Sequence, residues 1–306
     1  FERCLSISEN IGHKILWFLD HKSKFFEEKI PEKDEIFYEK NTNDIVKLSE
    51  CLEDKKINVV LIDSYSLAKN DIINLSKMVP VCLFQDKIEH INVQMIICPH
   101  PIKIKNMSDN IILNGPKYAP ITKKFLRKKN KNNFDSPTIL VSMGAYDKTG
   151  VTLNIIKSIK KFSVNRKLNL KTLIVLAKGS PIINKVKLLI KNCKNFDLVI
   201  DPKNMTKIYN LSDIAIGAPG LSHLERLYIG LPTILISQNN IHNLLIDGWV
   251  NLRCAIKSEN EINLIEKTLE DLINNKKIIN ELINNGIKLV DGKGSLRIAN
   301  SILKLI

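Results

Sequence analysis

Short β-branched runs alternate with helix-period segments along most of the chain. In the first half the apolar runs fall at 13–19, 58–62, 79–84, 95–97 and 111–113, with helical stretches between them, notably at 44–52 and 67–78. In the second half strands are expected at 138–142, 172–177, 197–200, 213–216 and 233–237, with helical patterns at 151–162, 182–193, 205–211 and 222–228 between them. Strand and helix in turn are the pattern of parallel strands joined by crossover helices. The expected fold class is therefore α/β, with two Rossmann-like domains in series, parallel sheets, and a cleft between the domains. From Glu259 onward the pattern is purely helical, and Asp291-Gly292-Lys293-Gly294 marks the boundary of a last helix ending at Ile306. The expected domains are 1–122 and 137–290, joined by a linker at 123–136 and followed by a terminal helix at 291–306. At the front, Phe1-Glu2-Arg3-Cys4-Leu5 has the pattern of a helix interior, so a natural start upstream is expected.

Composition supports this picture. A chain of 306 residues, 44% hydrophobic and 25% charged, is neither a disordered tail nor a disulfide-stapled miniature. Its length fits two medium domains, each able to bury a core of its own. The six cysteines are scattered without a C-x-x-C pair, and most lie in apolar runs such as Pro80-Val81-Cys82-Leu83-Phe84. Buried thiols in a reducing compartment are expected, hence a cytoplasmic protein. No apolar run approaches the roughly 18 residues of a membrane span, and no signal-peptide pattern opens the chain. Stable membrane insertion is not expected, and the oligomeric state expected is a monomer or weak oligomer.

The formal charge of +14, from 46 Lys and Arg against 32 Asp and Glu, raises a nucleic-acid reading. Its distribution argues otherwise. The densest run, Lys123-Lys124-Phe125-Leu126-Arg127-Lys128-Lys129-Asn130-Lys131, falls in the linker, and elsewhere lysines are interspersed with acids on helix faces, as across 259–281. Aromatics are only 6% and do not interleave with the basic residues as a base-stacking platform requires. A solvated surface plus a basic linker is the expectation, with no nucleic-acid partner. A non-catalytic anion- or RNA-binding protein is the alternative of another class, and would show steep salt dependence.

Ligands of open α/β sheets bind beyond the carboxyl ends of the strands, so the strand-to-loop junctions are where chemistry belongs. Three stand out. Leu140-Val141-Ser142-Met143-Gly144-Ala145-Tyr146-Asp147 runs from a strand into a small-residue turn, either a plain turn or a loop on which Gly144 lets a phosphate or sugar approach. Ile214-Ala215-Ile216-Gly217-Ala218-Pro219-Gly220-Leu221-Ser222-His223-Leu224-Glu225-Arg226 is richer. There Ser222 is expected to N-cap a helix with Glu225 at its third position, a capping box whose terminus suits a diphosphate. Glu225 either binds a nucleotide ribose from that position or only completes the cap. The third, Leu61-Ile62-Asp63-Ser64-Tyr65, ends a strand of the first domain with an acid and a phenol, to orient a substrate or move a proton, unless Asp63 merely caps the next helix.

Among the histidines, His13 is expected to be structural, His21 and His90 sit in polar stretches, and His100 has no partner at metal spacing. His223 and His242 remain as ligand candidates. No metal and no cofactor is expected. Neither a G-x-S-x-G elbow nor a Lys-bearing P-loop occurs, which removes serine hydrolases and P-loop NTPases.

The segment Asn204-Met205 to Asp213, with Ile216-Gly217-Ala218, Gly220, Glu225-Arg226 and Gly230-Leu231-Pro232, resembles the nucleotide-binding half of a sugar-nucleotide hydrolase family. That family is UDP-2,4-diacetamido-2,4,6-trideoxy-β-L-altropyranose hydrolase of pseudaminic acid biosynthesis, with spore-coat polysaccharide relatives. Arg3-Cys4-Leu5, Asp63-x-Tyr65, Gly115-Pro116-x-Tyr118-Ala119, Leu140-Val141-Ser142-x-Gly144 and Asp291-Gly292-Lys293-Gly294 with Arg297 resemble it too, in order over nearly the whole chain. The resemblance implies a glycosyltransferase-B architecture, with UDP on the C-terminal domain and the sugar on the side of the N-terminal one. It implies that Gly217, Gly220, Leu221 and Ser222 hold the diphosphate, Glu225 the ribose and Met205 the uracil. Arg3, Tyr118, Gly144, Asn240 and His242 would line the substrate site, and Asp63 and Tyr65 would act near the sugar. The reaction implied is metal-independent attack of water at the anomeric carbon, with release of UDP. A glycosyltransferase using the same donor is the alternative.

The departures bear on substrate and base. With Arg3 as the arginine of the family's Gly-His-x-x-Arg motif, its histidine base would lie immediately before Phe1, so the chain is expected to lack its first strand and that base. The family's Gly-Gly-Ser-Asp turn is Gly144-Ala145-Tyr146-Asp147 here, its Gly-Gly-Ser-Thr-Ser stretch is Pro219-Gly220-Leu221-Ser222-His223, and its Asp-Asn-Gln is Asn240-Ile241-His242. The nucleotide half is the better kept.

Overall fold

The computed structural model describes residues 1–19, 24–39, 44–86, 89–102, 110–125 and 133–306. His21 and 126–132, most of the basic run, lie outside the described residues. Two compact units emerge, Phe1–Lys123 with Gly292–Ile306, and Lys124–Asp291.

The first unit begins with α1 (Glu2–Ser8), β1 (Leu16–Leu19), α2 (Lys24–Glu27), β2 (Glu35–Tyr38) and α3 (Ile45–Asp54). It continues through β3 (Val60–Ile62), α4 (Lys69–Met78), β4 (Val81–Phe84), β5 (Met95–Cys98) and β6 (Ile111–Asn114). The second unit holds β7 (Ile139–Ser142), α5 (Val151–Arg166), β8 (Thr172–Leu176), α6 (Ile183–Ile190), β9 (Phe196–Ile200), α7 (Met205–Leu211) and β10 (Ile214–Gly217). It then runs through α8 (Leu221–Ile229), β11 (Thr233–Ile236), α9 (Asn240–Asn251), β12 (Ile256–Ser258), α10 (Ile262–Ile273) and α11 (Lys276–Leu289). The chain closes with α12 (Gly294–Ile302) and a short 3-10 turn.

In the first unit β3, β4, β5 and β6 pair in that order and in parallel, while β1 and β2 form a separate parallel pair. The unbroken apolar runs of β4 and β5 are explained by burial on both faces, since successive side chains point to opposite sides. Val81, Leu83 and Ile96 pack with Leu48 of α3 and with Ile72 and Leu75 of α4. Cys82, Phe84, Met95 and Ile97 pack with Ile7 of α1 and with Ile298, Ala299 and Ile302 of α12. The terminal helix thus completes the first unit. Its first residue, Gly294, lies so close to the Ala119 peptide that a Cβ would fall 2.6 Å from Ala119 N, and Ser295 Oγ bonds Ser6 Oγ at 3.0 Å.

The second unit carries a six-stranded parallel sheet in the order β12-β11-β10-β7-β8-β9. Its core is built on Ile139, Val141, Ile174, Ile216 and Ile234 of the strands, packed with Ile155 and Ile159 of α5 and Ile265 and Leu269 of α10. Four elements go beyond the sequence pattern, the first being the single turn of α2. β2 is four half-buried residues with an acid at its head. β12 is three residues at the sheet edge. α9 opens on Asn239 and contains Gly248, which masks its period, and it buries only Leu245, Ile246 and Trp249.

Candidate functional site

The strand order of the second unit reverses between β7 and β10, and such a switch point opens the crevice where open α/β sheets take ligands. Gly217 closes β10 opposite Ser142, the last residue of β7. The two glycines of the next turn have opposite reasons to be there. A Cβ on Gly217 would stand 2.5 Å from Arg226 Nη1 and 2.6 Å from the Ser142 carbonyl oxygen, whereas one on Gly220 would meet nothing within 4 Å. Gly220 itself is the N-cap of α8, and no side chain caps that terminus.

The expected capping box of Ser222 and Glu225 is therefore not formed. With Gly220 at the cap, the helix begins at Leu221, and Ser222 becomes its second residue. The Glu225 carboxylate instead accepts from the Tyr209 hydroxyl of α7 at 2.7 Å. Tyr209 is fully buried, and burial first, then the Glu225 charge, hold its ionisation well above the ordinary phenol range. It stays a donor and fixes Glu225 one turn into the helix. Uncapped N–H groups and the positive end of the helix dipole are the features that suit a helix terminus to an anion.

The flanking loops are tied to each other. Gly144 takes φ +92, the left-handed region, with open space at its Cβ position. Asp147 is buried and accepts from Val151 N and Thr152 N at the start of α5. Gln238, just past β11, donates Nε2 to Asp147 Oδ1 at 2.7 Å. Since β7 and β11 both neighbour β10, this bond links the loops on either side of the Gly217 turn. Asn239 caps α9, Asn240 is its first residue, and His242 Nδ1 accepts from Gln238 N at 3.3 Å. Gly144, Gly217, Gly220, Leu221, Ser222, Glu225, Asn240 and His242 all lie at the carboxyl end of this one sheet. Met205 opens α7 and packs in the apolar cluster around Tyr209. His223 is buried, edge-on to Trp249 with ring centroids 5.1 Å apart.

In the first unit, side chains from α1 and from beyond the ends of three consecutive strands form one cluster, in which Arg3 bonds those that follow the first two. Its Nε donates to Asp63 Oδ2 at 2.9 Å and its Nη2 to Asp63 Oδ1, just past β3. Its Nη1 donates to Asp86 Oδ1 at 2.7 Å, past β4. The Tyr65 hydroxyl donates to Asp86 Oδ2, and His100 Nε2, past β5, lies 3.2 Å from Asp86 Oδ1. Asp63 does not cap the next helix, because α4 begins on Ala68 without a side-chain cap. Burial opposes the Arg3 charge, but the Asp63 hydrogen bond and the charges of Asp86, Asp63 and Tyr65 outweigh it and raise its ionisation. Burial likewise disfavours charge on Asp86, yet the His100 hydrogen bond and the Arg3 charge hold its carboxyl far below the usual carboxylate range. Tyr118 is not in this cluster. It ends the turn Pro116–Tyr118 and packs on the core face shared by α1 and α12.

The Tyr65 ring stands in solvent while its hydroxyl is drawn onto Asp86. Desolvation of the hydroxyl, then the Asp86 charge, push its ionisation up to about 12. This phenol is a proton donor at neutral pH, and the stability linked to it is present below the free-tyrosine value of about 10 and is lost as pH rises through 12. NMR titration should show Asp86→Asn bringing the Tyr65 midpoint back toward 10, while an unmoved midpoint would exclude the Asp86 contribution.

Asp86 and His100 are the functional candidates that sequence reasoning passed over. Both sit two residues beyond fully buried strands, Phe84-Gln85-Asp86 and Cys98-Pro99-His100, nearly the place that drew attention to Asp63. Among the described residues no group of three or more His, Cys, Asp and Glu is arranged to hold a metal. Among them, too, no helix is long and apolar enough to cross a membrane.

No family model matches the chain. It is 22% identical over 228 residues to an uncharacterized protein of Methanocaldococcus jannaschii, a match covering 69% of this chain and 46% of that protein, so the chain spans about half the length of this curated relative. Among solved structures it resembles the UDP-GlcNAc 2-epimerase from Neisseria meningitidis bound to UDP-GlcNAc, with 15% identity over 95% of this chain and 100% of that one and a TM-score of 0.68. It also resembles a glycosyltransferase from Rickettsia africae, with 14% identity over 99% and 94% of the two chains and a TM-score of 0.64. With its two parallel-sheet α/β units, the chain has the glycosyltransferase-B fold.

Proposed function

We propose that this protein binds a UDP-sugar and breaks the bond between the anomeric carbon and the diphosphate, passing the sugar to an acceptor hydroxyl. The observation that carries this is the uncapped α8 terminus at the β7/β10 switch point, with Glu225 held one turn inside by buried Tyr209. The terminus is suited to the diphosphate and stabilises it as it departs, and Glu225 is suited to the ribose hydroxyls. Among the proteins of the same fold is one solved with UDP-GlcNAc and one named a glycosyltransferase. In the first unit, the Tyr65 hydroxyl donates its hydrogen bond to ionised Asp86, and the pair offers hydrogen-bond acceptors suited to the hydroxyls of a sugar.

Hydrolysis is the second reading, favoured by the ordered residue matches to the pseudaminic acid hydrolase family, from Arg3 to Arg297. Water then replaces the acceptor hydroxyl, and the substrate is a UDP-activated deoxy-diacetamido sugar. Product analysis separates the two: free sugar plus UDP from donor alone supports hydrolysis, and UDP release only with acceptor supports transfer. Calorimetry tests what they share. UDP should bind, and Glu225→Ala should weaken it by about tenfold through loss of the ribose contacts. No UDP binding, or binding indifferent to Glu225→Ala, would remove the site assignment.

A further inference from the structure

Arg226 is fully buried on α8. Its Nη2 donates to the Ala218 carbonyl at 2.6 Å, but Nε and Nη1 have no hydrogen-bond partner. The carboxylate whose charge reaches it, Glu225, is bonded to the protonated Tyr209 hydroxyl. Among the described residues Arg226 forms no ion pair. A sealed cation with one neutral hydrogen bond is expensive, and buried charges are ordinarily paired. Its position points to where compensation comes from. Nη1 lies 2.5 Å from the Cβ position of Gly217, under the turn whose other end, Gly220, opens on free space at the uncapped helix terminus.

We propose that Arg226 is a positioning residue for a diphosphate, a fixed positive charge beneath the Gly217 to Gly220 turn that is compensated when the anion binds at the α8 terminus. This rests on the nucleotide reading above and deepens it. By holding the Ala218 carbonyl, the guanidinium turns one acceptor of the loop inward, away from an incoming anion, and leaves the backbone N–H groups as the polar surface the anion meets. A ligand without phosphate gains nothing from it. Arg226 therefore discriminates nucleoside diphosphate from nucleoside, and its cost in the free protein is the counterpart of that discrimination.

The test compares UDP, uridine and inorganic pyrophosphate as probes on the full chain, by calorimetry and thermal shift, for wild type, Arg226→Met and Arg226→Lys. Arg226→Met is expected to lose UDP and pyrophosphate affinity by about tenfold or more while keeping uridine affinity, because the fixed charge beneath the anion is removed. The ligand-free melting temperature should stay level or rise. Arg226→Lys should keep the UDP-to-uridine preference within a few-fold, and it decides the matter if the methionine variant does not fold. Unchanged UDP and pyrophosphate affinity in Arg226→Met overturns the proposal and leaves the nucleotide reading standing. So does an equal loss for uridine with a lowered ligand-free melting temperature, the mark of a merely structural arginine. Pyrophosphate binding that depends on Arg226, without uridine or UDP preference, supports the anion site and overturns the nucleotide reading. A wild type that binds none of the three overturns both.

Discussion

Replacing Arg3 with leucine is expected to destabilise the first unit by about 3–5 kcal/mol, the cost of leaving buried charges without their partner. Asp63 and Asp86 are both largely withdrawn from solvent, and Arg3 is the cation hydrogen-bonded to both. The guanidinium also lies 4.6 Å from the centroid of the Phe84 ring, so apolar packing goes with the charge. The measurement is urea unfolding followed by fluorescence. One tryptophan, Trp17, packs beside α1 in the cluster of Leu5 and Ile30, and Trp249 belongs to the second unit. In a Trp249→Phe background the Trp17 transition should move to lower urea. A transition unmoved by Arg3→Leu would show that the two carboxylates are satisfied without it. The pH dependence has a definite sign. The Asp86 carboxyl is held below its ordinary range, so its contribution is whole above the unfolded value of about 4 and is lost as pH falls toward the depressed one. Without Arg3 the folded value rises toward the unfolded one, so that acid loss should be smaller and end at higher pH.

Gly217→Ala is expected to cost the second unit about 1–3 kcal/mol, the usual penalty for forcing atoms into a packed interior. Neither neighbour of the new methyl gives way easily. The Ser142 carbonyl belongs to the adjacent strand, and the Arg226 guanidinium is sealed and bonded to Ala218. Trp249, which touches His223 of α8, reports this transition in a Trp17→Phe background. UDP affinity should fall with it, because the strand end that sets the turn is displaced. Gly220→Ala is the control. Its φ of −76 suits any residue and its Cβ position is open, so stability should stay within about 0.5 kcal/mol of wild type. Equal stability of Gly217→Ala and wild type would show that the turn relaxes around the methyl.

The long periodic elements were legible because burial on both faces leaves an unmistakable run. Isoleucine-rich strands such as β7 and β10, and helices such as α5, appear in the sequence within a few residues of where they lie. The short edge strands β2 and β12 were not, since four or three half-covered residues carry too little period. At the site, Gly217 and Gly220 look alike in the sequence, and only the packing separates a glycine required by Arg226 from one open to solvent. Ser222 with Glu225 has the spacing of a capping box, yet a glycine one position ahead of Leu221 took the cap, and a buried tyrosine from α7 took the glutamate. Asp86 and His100 carried only a weak signal, because each stands in a short stretch after a strand and acquires meaning when the parallel order β3, β4, β5 sets their loops side by side.

The alternation of apolar and polar residues by itself determined two α/β halves and the junctions at which ligand chemistry belongs, because period and burial are local properties of the chain. Tertiary structure alone decided which junctions lie side by side. The order β12-β11-β10-β7-β8-β9 puts residues near 144, 220 and 240 at one sheet end, and α12 closes the sheet that α1 began, from nearly 300 residues away. Charge pairing such as Arg3 with Asp63 and Asp86, or the unpaired burial of Arg226, depends on distances of a few ångströms between segments far apart in sequence, and no local pattern encodes those.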